Sequence, residues 1–235
     1  MTRTILITGA TSSFGLELIA RLPNHTKIIA QSRKPLPIKI SEDSRVINVI
    51  SDLSKGDFLN DIDNRVDFSK IDEVVHFAAA PMRMQNFSST KSEQLLFDYQ
   101  TNFLSVVALL TKVAATQNQN QRQIRVVLML SDMLRSGKKG ETSYITSKFA
   151  LLGLIKSLSS EYSGNDLRIN GVSPSLVETR YVAHLPEFLR KDILNKHPMN
   201  RHCSVTDVVD LIEFLLSPQS QFINGQNFFI NGGEN

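Results

Sequence analysis

The amino-acid sequence predicts an α/β fold in which a doubly wound parallel sheet of about seven strands carries helices on both faces. Three observations predict this. Short apolar runs alternate with longer helical patterns, the runs are continuous in Ile, Val, Leu and Phe, and a glycine-containing loop follows the first run. Continuous apolar strands are typical of parallel sheets that are buried on both faces.

The predicted elements alternate along the chain. The strands are short apolar segments, namely Thr4–Thr8, Lys27–Gln31, Val46–Ile50, Glu73–Phe77, Ile124–Leu130, Arg168–Val172 and Asn227–Ile230. The helices have longer patterns, namely Phe14–Leu22, Ser92–Thr116, Ser143–Tyr162 and Thr206–Leu216. The polar segment Gln117–Gln123 is interpreted as a solvated turn between a helix and a strand. In such a sheet, ligands bind at the carboxyl ends of the strands.

The composition fits one globular domain over residues 1–235, since 41% of the residues are hydrophobic and 21% are charged. The net charge of +3 is mild and scattered, unlike the dense basic stripe of a nucleic-acid binder. The apolar runs are too short for a signal peptide or a membrane span. The single cysteine, Cys203, excludes an internal disulfide and a cysteine zinc cluster. We therefore expect a cytoplasmic protein without nucleic-acid or membrane partners.

The segment from Arg180 to Arg201 is less regular than the rest of the chain. Pro186 and Pro198 flank a short amphipathic piece, Phe188–Leu194. This pattern predicts a lid over a substrate at residues 180–201. A surface helix without a gating role is an equal alternative.

A glycine-containing loop joins the first predicted strand to the first predicted helix, and it reads Thr8-Gly9-Ala10-Thr11-Ser12-Ser13-Phe14-Gly15. Gly9 allows a tight turn, the small central residues let the backbone approach a pyrophosphate, and Gly15 lets the helix pack closely on the strand. The N–H groups at the helix N-terminus favour phosphate. The loop predicts a dinucleotide site, although glycines also serve ordinary turns.

The end of the second strand indicates which dinucleotide is bound. An NAD site has a carboxylate here for the ribose hydroxyls, whereas this chain has Ser32 and Arg33. These side chains suit the 2′-phosphate of NADP(H), with Arg33 as a forked cation, so NADP(H) is favoured over NAD(H). An ordinary basic loop is the alternative. Asp52, after the third strand, is a candidate acceptor for the adenine amino group or a cap of the next helix.

Tyr144 and Lys148 are the candidate catalytic pair. They lie four residues apart in a predicted helix and therefore share a face. A free tyrosine has a pKa of about 10, and a neighbouring ammonium lowers it towards the range of a useful acid or base. Ser131 ends a buried strand thirteen residues before Tyr144, at the edge where such sheets hold their ligands. The Tyr-x-x-x-Lys spacing alone is common on solvated helices.

These motifs together resemble the short-chain dehydrogenase/reductase family over nearly the whole chain. Each matching piece is moderately specific, but their order is highly specific. The pieces are Thr8-Gly9…Gly15, Asp52-Leu53, Val75–Ala79, Asn102, Ser131, Tyr144…Lys148, Pro174-Ser175…Thr179 and Phe222-Ile223-Asn224-Gly225-Gln226…Gly232-Gly233. The resemblance implies a Rossmann-type fold and an NADP(H)-dependent oxidoreductase that interconverts a small-molecule carbonyl and alcohol by hydride transfer.

The resemblance also implies a role for each matched residue. Tyr144 would be the general acid in reduction and the base in oxidation, Lys148 would lower its pKa and bind the nicotinamide ribose, and Ser131 would polarise the substrate carbonyl. Asn102 would hold a water that links Lys148 to solvent. The cofactor would contact Gly9, Thr11, Ser12, Ser13, Phe14, Gly15, Ser32, Arg33, Asp52, Leu53, Ala78, Ala79, Tyr144, Lys148, Pro174, Val177 and Thr179.

Family members often pair through the helices that carry Asn102 and Tyr144, so the resemblance implies a homodimer or homotetramer. An apolar stripe is compatible with that pairing or with the core of one chain, and it consists of Phe149, Leu152, Ile155, Leu109 and Leu110. No metal site is expected, because the histidines lack ligand spacing.

Two departures from the family pattern keep alternatives open. Ser13 replaces the middle glycine of the loop. The run His76-Phe77-Ala78-Ala79 replaces the usual Asn-Asn-Ala-Gly, so the hydrogen bonds of those asparagines must come from elsewhere. One alternative is a non-catalytic NADP(H)-binding sensor or scaffold on the same fold. Another is a nucleotide-sugar-modifying enzyme, although 235 residues leave no room for that branch's extra C-terminal domain.

Overall fold

The computed structural model describes residues 3–120, 123–162, 166–177, 187 and 197–234. Within these ranges the strands are β1 Thr4–Thr8, β2 Lys27–Ser32, β3 Val46–Ile50, β4 Glu73–His76, β5 Ile124–Met129, β6 Leu167–Pro174 and β7 Asn227–Ile230. Each coincides with a predicted strand, with small differences at the ends. The continuous apolar runs therefore located the strands correctly.

The strands form one sheet in the order β3-β2-β1-β4-β5-β6-β7, and each neighbouring pair is parallel. The predicted doubly wound parallel sheet is thus confirmed. The chain order reverses between β1 and β4, which is the switch point where such sheets form a ligand crevice at the carboxyl ends of their strands.

The helices of the described ranges are α1 Ser13–Arg21, α2 Ile38–Ser41, α3 Phe58–Asp63, α4 Ser92–Tyr99, α5 Ser105–Asn120, α6 Met133–Ser136, α7 Thr142–Glu161 and α8 Val205–Leu216. The three short helices α2, α3 and α6 were not predicted, because so few residues do not establish a helical period. In the part of the chain described here, no helix combines the length and the apolar character needed to cross a membrane.

Alternate side chains of the sheet enter two helical layers. In β1, Leu6 joins the cluster packed against α3, α5 and α7, whereas Ile5 and Ile7 join the cluster packed against α1 and α8. All three side chains are fully buried. Burying an aliphatic side chain of this size stabilises the fold by about 1.5–3 kcal/mol. The unbroken apolar sequence of β1 therefore follows from the helical layer on each face.

The helix predicted over Ser92–Thr116 is not continuous. A π-helical turn, Gln100–Leu104, separates α4 from α5. Such a turn adds one residue to the α-helical ladder and is frequent at functional sites. The solvated turn predicted for Gln117–Gln123 is also wrong, since α5 continues through Asn120. Residues 121–122 lie outside the described ranges.

The predicted apolar stripe divides between core and surface. Leu109, Leu110 and Ile155 are at most 3% exposed and belong to the core of this chain. Leu152 is partly buried against the same cluster, whereas Phe149 keeps 47% of its surface exposed. Most of the stripe is therefore explained by the fold itself.

Charged side chains line the amino ends of the central strands. Glu73 of β4 is fully buried, and its Oε1 lies 3.0 Å from Arg3 Nη1 and 3.3 Å from Arg125 Nη2. The strand register sets Glu73, Arg125 and Arg168 side by side across β4, β5 and β6. Arg168 is 2% exposed and donates to the carbonyl of Ser220. Each of these buried charges has a counter-charge or a carbonyl partner, as burial of charge requires.

Candidate active site

Contacts at the carboxyl edge of the sheet bring the candidate catalytic residues together. Lys148 of α7 donates from Nζ to the carbonyl of Met129, the last residue of β5, over 2.7 Å. Ser131 follows two residues later. Asn102 donates from Nδ2 to the hydroxyl of Ser147, which precedes Lys148. The three elements that the sequence singled out therefore meet at one place.

Lys148 is a buried ammonium to which no described residue supplies a counter-charge. Its side chain is among the largest fully buried ones, at 1% exposure, and it forms no ion pair with any described residue. Burial lowers the pKa of Lys148 from 10.5 to about 8, because taking the charge out of water favours the neutral amine. A cation held in this way exerts a strong field on its neighbours.

The ring of Tyr144 lies close to this cation. The Lys148 Nζ lies 5.5 Å from the centre of the Tyr144 ring, in the direction expected for residues four apart on a helix. Tyr144 is half-buried, and it lines a small polar cavity together with Asn102 and Ala80. The predicted pairing of Tyr144 with Lys148 is thus present as a close contact.

Ser131 is buried at the end of β5, with 8% of its surface exposed. Its Oγ accepts a hydrogen bond from the Met133 N–H at 3.3 Å. Because this bond uses a lone pair, the hydroxyl hydrogen remains available to a substrate oxygen.

Asn102 lies inside the π-helical turn and is fully buried. Its Oδ1 accepts the N–H of Ala80 at 2.6 Å, and its Nδ2 donates to Ser147 Oγ at 2.9 Å. The side chain therefore joins the loop after β4 to α7, a role that the sequence did not predict. The water that Asn102 is predicted to hold stays a prediction.

His76 supplies a hydrogen bond that the sequence could not locate. Its Nδ1 lies 2.7 Å from Thr8 Oγ1, which ties the carboxyl end of β4 to that of β1. Burial, reinforced by the charge of Lys148, lowers the pKa of His76 to about 3, so the ring is neutral at physiological pH. Next to it, Phe77 stacks on Phe14 of α1, with ring centres 5.8 Å apart. The His76-Phe77 pair thus bonds and packs where the family has asparagines.

The glycine-containing loop has the tight geometry that the sequence predicts. Gly9 has a φ of +65°, and a Cβ at this position would lie 2.6 Å from the Ala78 nitrogen, so no other residue fits without displacement. Ser12 caps α1 by accepting the Gly15 N–H at 3.1 Å. Ser13 is the first residue of α1, and its N–H and that of Phe14 fall among the helix-terminal donors that lack intrahelical acceptors.

Gln31 holds the glycine-containing loop in place, a role that was not predicted from the sequence. Its Oε1 accepts the Gly9 N–H at 3.2 Å, and its Nε2 donates to the Ser51 carbonyl at 2.7 Å. Gln31 is 1% exposed. A glutamine at the end of an otherwise apolar strand was the available signal, because a buried amide needs partners.

The residues after β2 and β3 form the predicted adenosine end of the site. Arg33 is exposed, whereas Ser32 is 2% exposed and donates to the Lys34 carbonyl. Asp52 accepts from the N–H and the hydroxyl of Ser54, so it stabilises a turn and does not cap α3. Partial burial opposes ionisation of Asp52, but the bonds from Ser54 and the nearby charge of Arg33 outweigh it and lower its pKa.

The remaining residues that were predicted to contact the cofactor differ in their exposure and location. Ala78 is half-buried and Ala79 exposed at the edge of the site, whereas the Leu53 side chain is in the core. Pro174 ends β6, and Val177 forms a bridge with Cys203. Thr179 and most of the predicted lid, residues 180–186, 188–196, lie outside the described residues.

A second group of polar residues borders Tyr144 and was not predicted. The carboxylate of Asp98, in α4, accepts a hydrogen bond from Arg83 Nη1 at 2.8 Å and another from the Ser143 hydroxyl at 2.6 Å. Glu141, immediately before α7, is 2% exposed. No spacing rule identifies this group, because its members come from a loop and two helices.

Comparisons with known proteins cover nearly the whole chain. Residues 15–235 match the family model described as Enoyl-(Acyl carrier protein) reductase. The 3-oxoacyl-[acyl-carrier-protein] reductase FabG of Rickettsia conorii is 28% identical over 243 residues, covering 98% of this chain and 96% of the relative.

Solved structures repeat the fold closely. A 4-hydroxyisoleucine dehydrogenase complexed with NADH has a TM-score of 0.91 at 24% identity, covering 99% of this chain and 98% of the other. A 3-oxoacyl (acyl-carrier-protein) reductase from Agrobacterium tumefaciens C58 with NADP bound has a TM-score of 0.85 at 25% identity, covering 98% and 93%. The fold of this chain is thus shared by proteins that carry either nicotinamide dinucleotide.

Proposed function

The chain belongs to the short-chain dehydrogenase/reductase family of oxidoreductases, and on this premise we propose that it interconverts a carbonyl and an alcohol with NADP(H), using Tyr144 as general acid and base. One observation carries the proposal: the buried ammonium of Lys148 lies 5.5 Å from the Tyr144 ring and has no carboxylate partner among the described residues. An unpaired buried charge destabilises the fold, and such perturbed groups cluster at functional sites.

The chain's own residues account for the proton that accompanies hydride transfer. In reduction, the Ser131 hydroxyl donates a hydrogen bond to the substrate oxygen, and the Tyr144 hydroxyl transfers its proton to that oxygen. Bound NADP(H) supplies the hydride to the carbonyl carbon in reduction and accepts it in oxidation. Lys148 stabilises the phenolate that Tyr144 becomes. In oxidation, the same phenolate removes the alcohol proton.

The residues at the phosphate end support NADP(H) as the cofactor. The α1 N-terminus offers N–H groups of Ser13 and Phe14 to the pyrophosphate, and Gln31 fixes the loop that leads to them. Arg33 is an exposed guanidinium at the end of β2, where the 2′-phosphate would lie. Ser32 uses its hydroxyl hydrogen on Lys34, so its part is to hold the turn that presents Arg33.

Nucleotide binding tests the cofactor. We expect Arg33→Ala to weaken NADPH binding about tenfold to a hundredfold, because a charge-assisted contact is worth about 1.5–3 kcal/mol. NADH binding should change less than about twofold. The measurement is a titration followed by nicotinamide fluorescence, with Lys34→Ala as the neighbouring-cation control. Equal losses for both nucleotides in Arg33→Ala would contradict the assignment of the 2′-phosphate.

Turnover tests the reaction. The names of the relatives support 3-oxoacyl thioesters as the first substrate class to assay, followed by a panel of simple ketones. We expect Tyr144→Phe to lower kcat by about 10²–10⁴-fold while nucleotide affinity is retained. Tyr162→Phe, at the other end of the same helix, is the matched control. Tight nucleotide binding without turnover of any carbonyl would instead favour a sensor or scaffold.

The proposal includes the organisation of the protein. Residues 1–235 would form one catalytic domain in the cytoplasm, with residues 180–201 as a lid over the substrate. A homodimer or homotetramer is proposed, with the exposed Phe149 of α7 as part of the contact.

A further inference from the structure

Glu141, Tyr144 and Lys148 form one stripe along α7. Glu141 occupies the position before the first helical residue, and its carbonyl accepts the Ile145 N–H at 2.9 Å, so it is already in the helical register. Residues three and four apart on a helix are neighbours on one face. Tyr144 therefore has Glu141 three residues before it and Lys148 four residues after it, and it lines one cavity with Glu141 and has the Lys148 ammonium 5.5 Å from its ring centre.

The Glu141 side chain is buried, and one of its carboxyl oxygens has no hydrogen-bond partner among the described residues. Its side chain is 2% exposed, and its Oε2 has no hydrogen-bond partner among the described residues. It lines the cavity that Tyr144 and Asn102 also line, and this cavity has room for about one water molecule. The Glu141 carboxyl group and the Tyr144 side chain therefore border the same small space.

The charges that face Glu141 compensate its own charge only in part. Asp98 of α4 and Arg83 of the loop after β4 line the same cavity, and they form a salt bridge with each other at 2.8 Å. From the loop before α7 comes Lys138, whose side chain is exposed. Burial raises the pKa of Glu141, the charge of Lys138 opposes that shift, and Asp98 adds to it. The fold thus keeps a second buried titratable group, compensated only in part by the exposed Lys138, one helical turn from Tyr144.

We propose that the Glu141 carboxylate opposes Lys148 and holds the proton on the Tyr144 hydroxyl, so that the two charges together set the pH at which Tyr144 changes from acid to base. The inference rests on the proposed function, in which Tyr144 is that acid and base. A negative charge disfavours the phenolate, whereas a positive charge favours it. In this role Glu141 acts through Tyr144, which makes it a positioning residue.

The sign of the effect follows from oxidation, which requires the phenolate. The kcat/KM of alcohol oxidation rises with pH as Tyr144 loses its proton. Removing the neighbouring carboxylate makes that proton easier to lose. In Glu141→Gln the rising limb should therefore move to lower pH by roughly half a unit to one unit, as expected for a carboxylate about 10 Å from the phenol oxygen at an effective dielectric constant of about 20–40. Below the limb, oxidation should be about three- to tenfold faster than in the wild type.

The experiment compares pH profiles of kcat/KM for alcohol oxidation in the full-length protein. Glu141→Gln should shift the limb to lower pH, and Glu141→Asp, which keeps the charge, should restore it towards the wild type. Glu161→Gln, at the exposed far end of α7, should leave it unchanged. NADPH affinity and melting temperature are measured in parallel. A Gln profile that superimposes on the wild type or moves to higher pH, or an Asp profile equal to the Gln profile, overturns the inference.

A second variant keeps the test informative if Glu141→Gln does not fold. Lys138→Ala removes the exposed cation that compensates Glu141 and should move the limb to higher pH, whereas Lys139→Ala should not. No shift, or a shift to lower pH, overturns the inference. Failure of the proposed function looks different, because the wild type would then turn over no carbonyl or alcohol at any pH, and both proposals would fall together.

Discussion

The two edges of the sheet bury charge in opposite ways. At the amino edge, the Glu73 carboxylate lies 3.0 Å from Arg3 and 3.3 Å from Arg125. At the carboxyl edge, the Lys148 ammonium donates to the Met129 carbonyl at 2.7 Å and has no carboxylate partner among the described residues. The paired charge holds strands together, whereas the unpaired charge is available to act on Tyr144.

The pKa shifts show the same contrast. Burial raises the pKa of Glu73, but the charges of Arg3 and Arg125 work against that shift. Burial lowers the pKa of Lys148 to about 8 with no opposing partner, and the same cation helps to lower that of His76. A buried group whose charge is not compensated has a proton that moves in the pH range of catalysis. Buried charges thus differ in what they do: a compensated one stabilises the fold, whereas one without a counter-charge marks a candidate functional residue.

The largest expected effect comes from removing the unpaired charge. Lys148→Met should lower kcat by about 10²–10⁴-fold, because Tyr144 loses the cation that stabilises its phenolate. The free energy of unfolding at pH 7 should rise, since an apolar side chain replaces a buried ammonium. Steady-state kinetics and urea unfolding measure the two effects. Lys156→Met, which removes another lysine of α7 bonded to a backbone carbonyl, is the control and should leave kcat unchanged.

Removing the paired charge should have the opposite outcome. Glu73→Gln leaves Arg3 and Arg125 without their carboxylate partner, so the free energy of unfolding should fall by about 3–5 kcal/mol. Activity per folded molecule should stay unchanged. The control is Asp63→Asn, which breaks an exposed pair with Lys112 and should cost at most about 1 kcal/mol. A large loss of kcat in folded Glu73→Gln would contradict the division between the two edges.

A smaller effect should appear in the pH dependence of stability. The pKa of Lys148 falls from 10.5 in the unfolded chain to about 8 in the folded one. Between these values the unfolded chain binds more protons, so the free energy of unfolding rises with pH across this window, by up to about 3 kcal/mol. The difference between wild type and Lys148→Met isolates this contribution. Parallel curves for the two proteins would show that Lys148 is not desolvated.

The sequence predicted the elements whose patterns are local. The strands were found because β1 and its neighbours are apolar without interruption, which a sheet covered on both faces requires. Tyr144 and Lys148 were expected on one face because they lie four residues apart on a helix, and the structure places the Lys148 Nζ 5.5 Å from the Tyr144 ring centre. Ser131 was placed by its position after β5.

What the sequence did not predict depends on partners distant in the chain. Gln31 acquires its role only because Gly9 and Ser51 lie on either side of it in the fold. Glu141 resembles any polar residue of a loop until α4 and the loop after β4 cover it. The missing sheet hydrogen bonds were correctly expected to come from elsewhere, but the Thr8–His76 contact that supplies one required the strand pairing to be known.

Because of the π-helical turn at Gln100–Leu104, the orientation of α4 depends on the number of residues between α4 and α5 as well as on their identity. Deleting one residue there would leave a regular helix and would rotate α4 by about 100° relative to α5. Asp98 would then turn away from Ser143, and the wall beside Tyr144 would be rebuilt without any substitution at the site. Descendants of this chain can therefore exchange side chains along α4 gradually, whereas a single-codon deletion in the turn would misalign the site in one step.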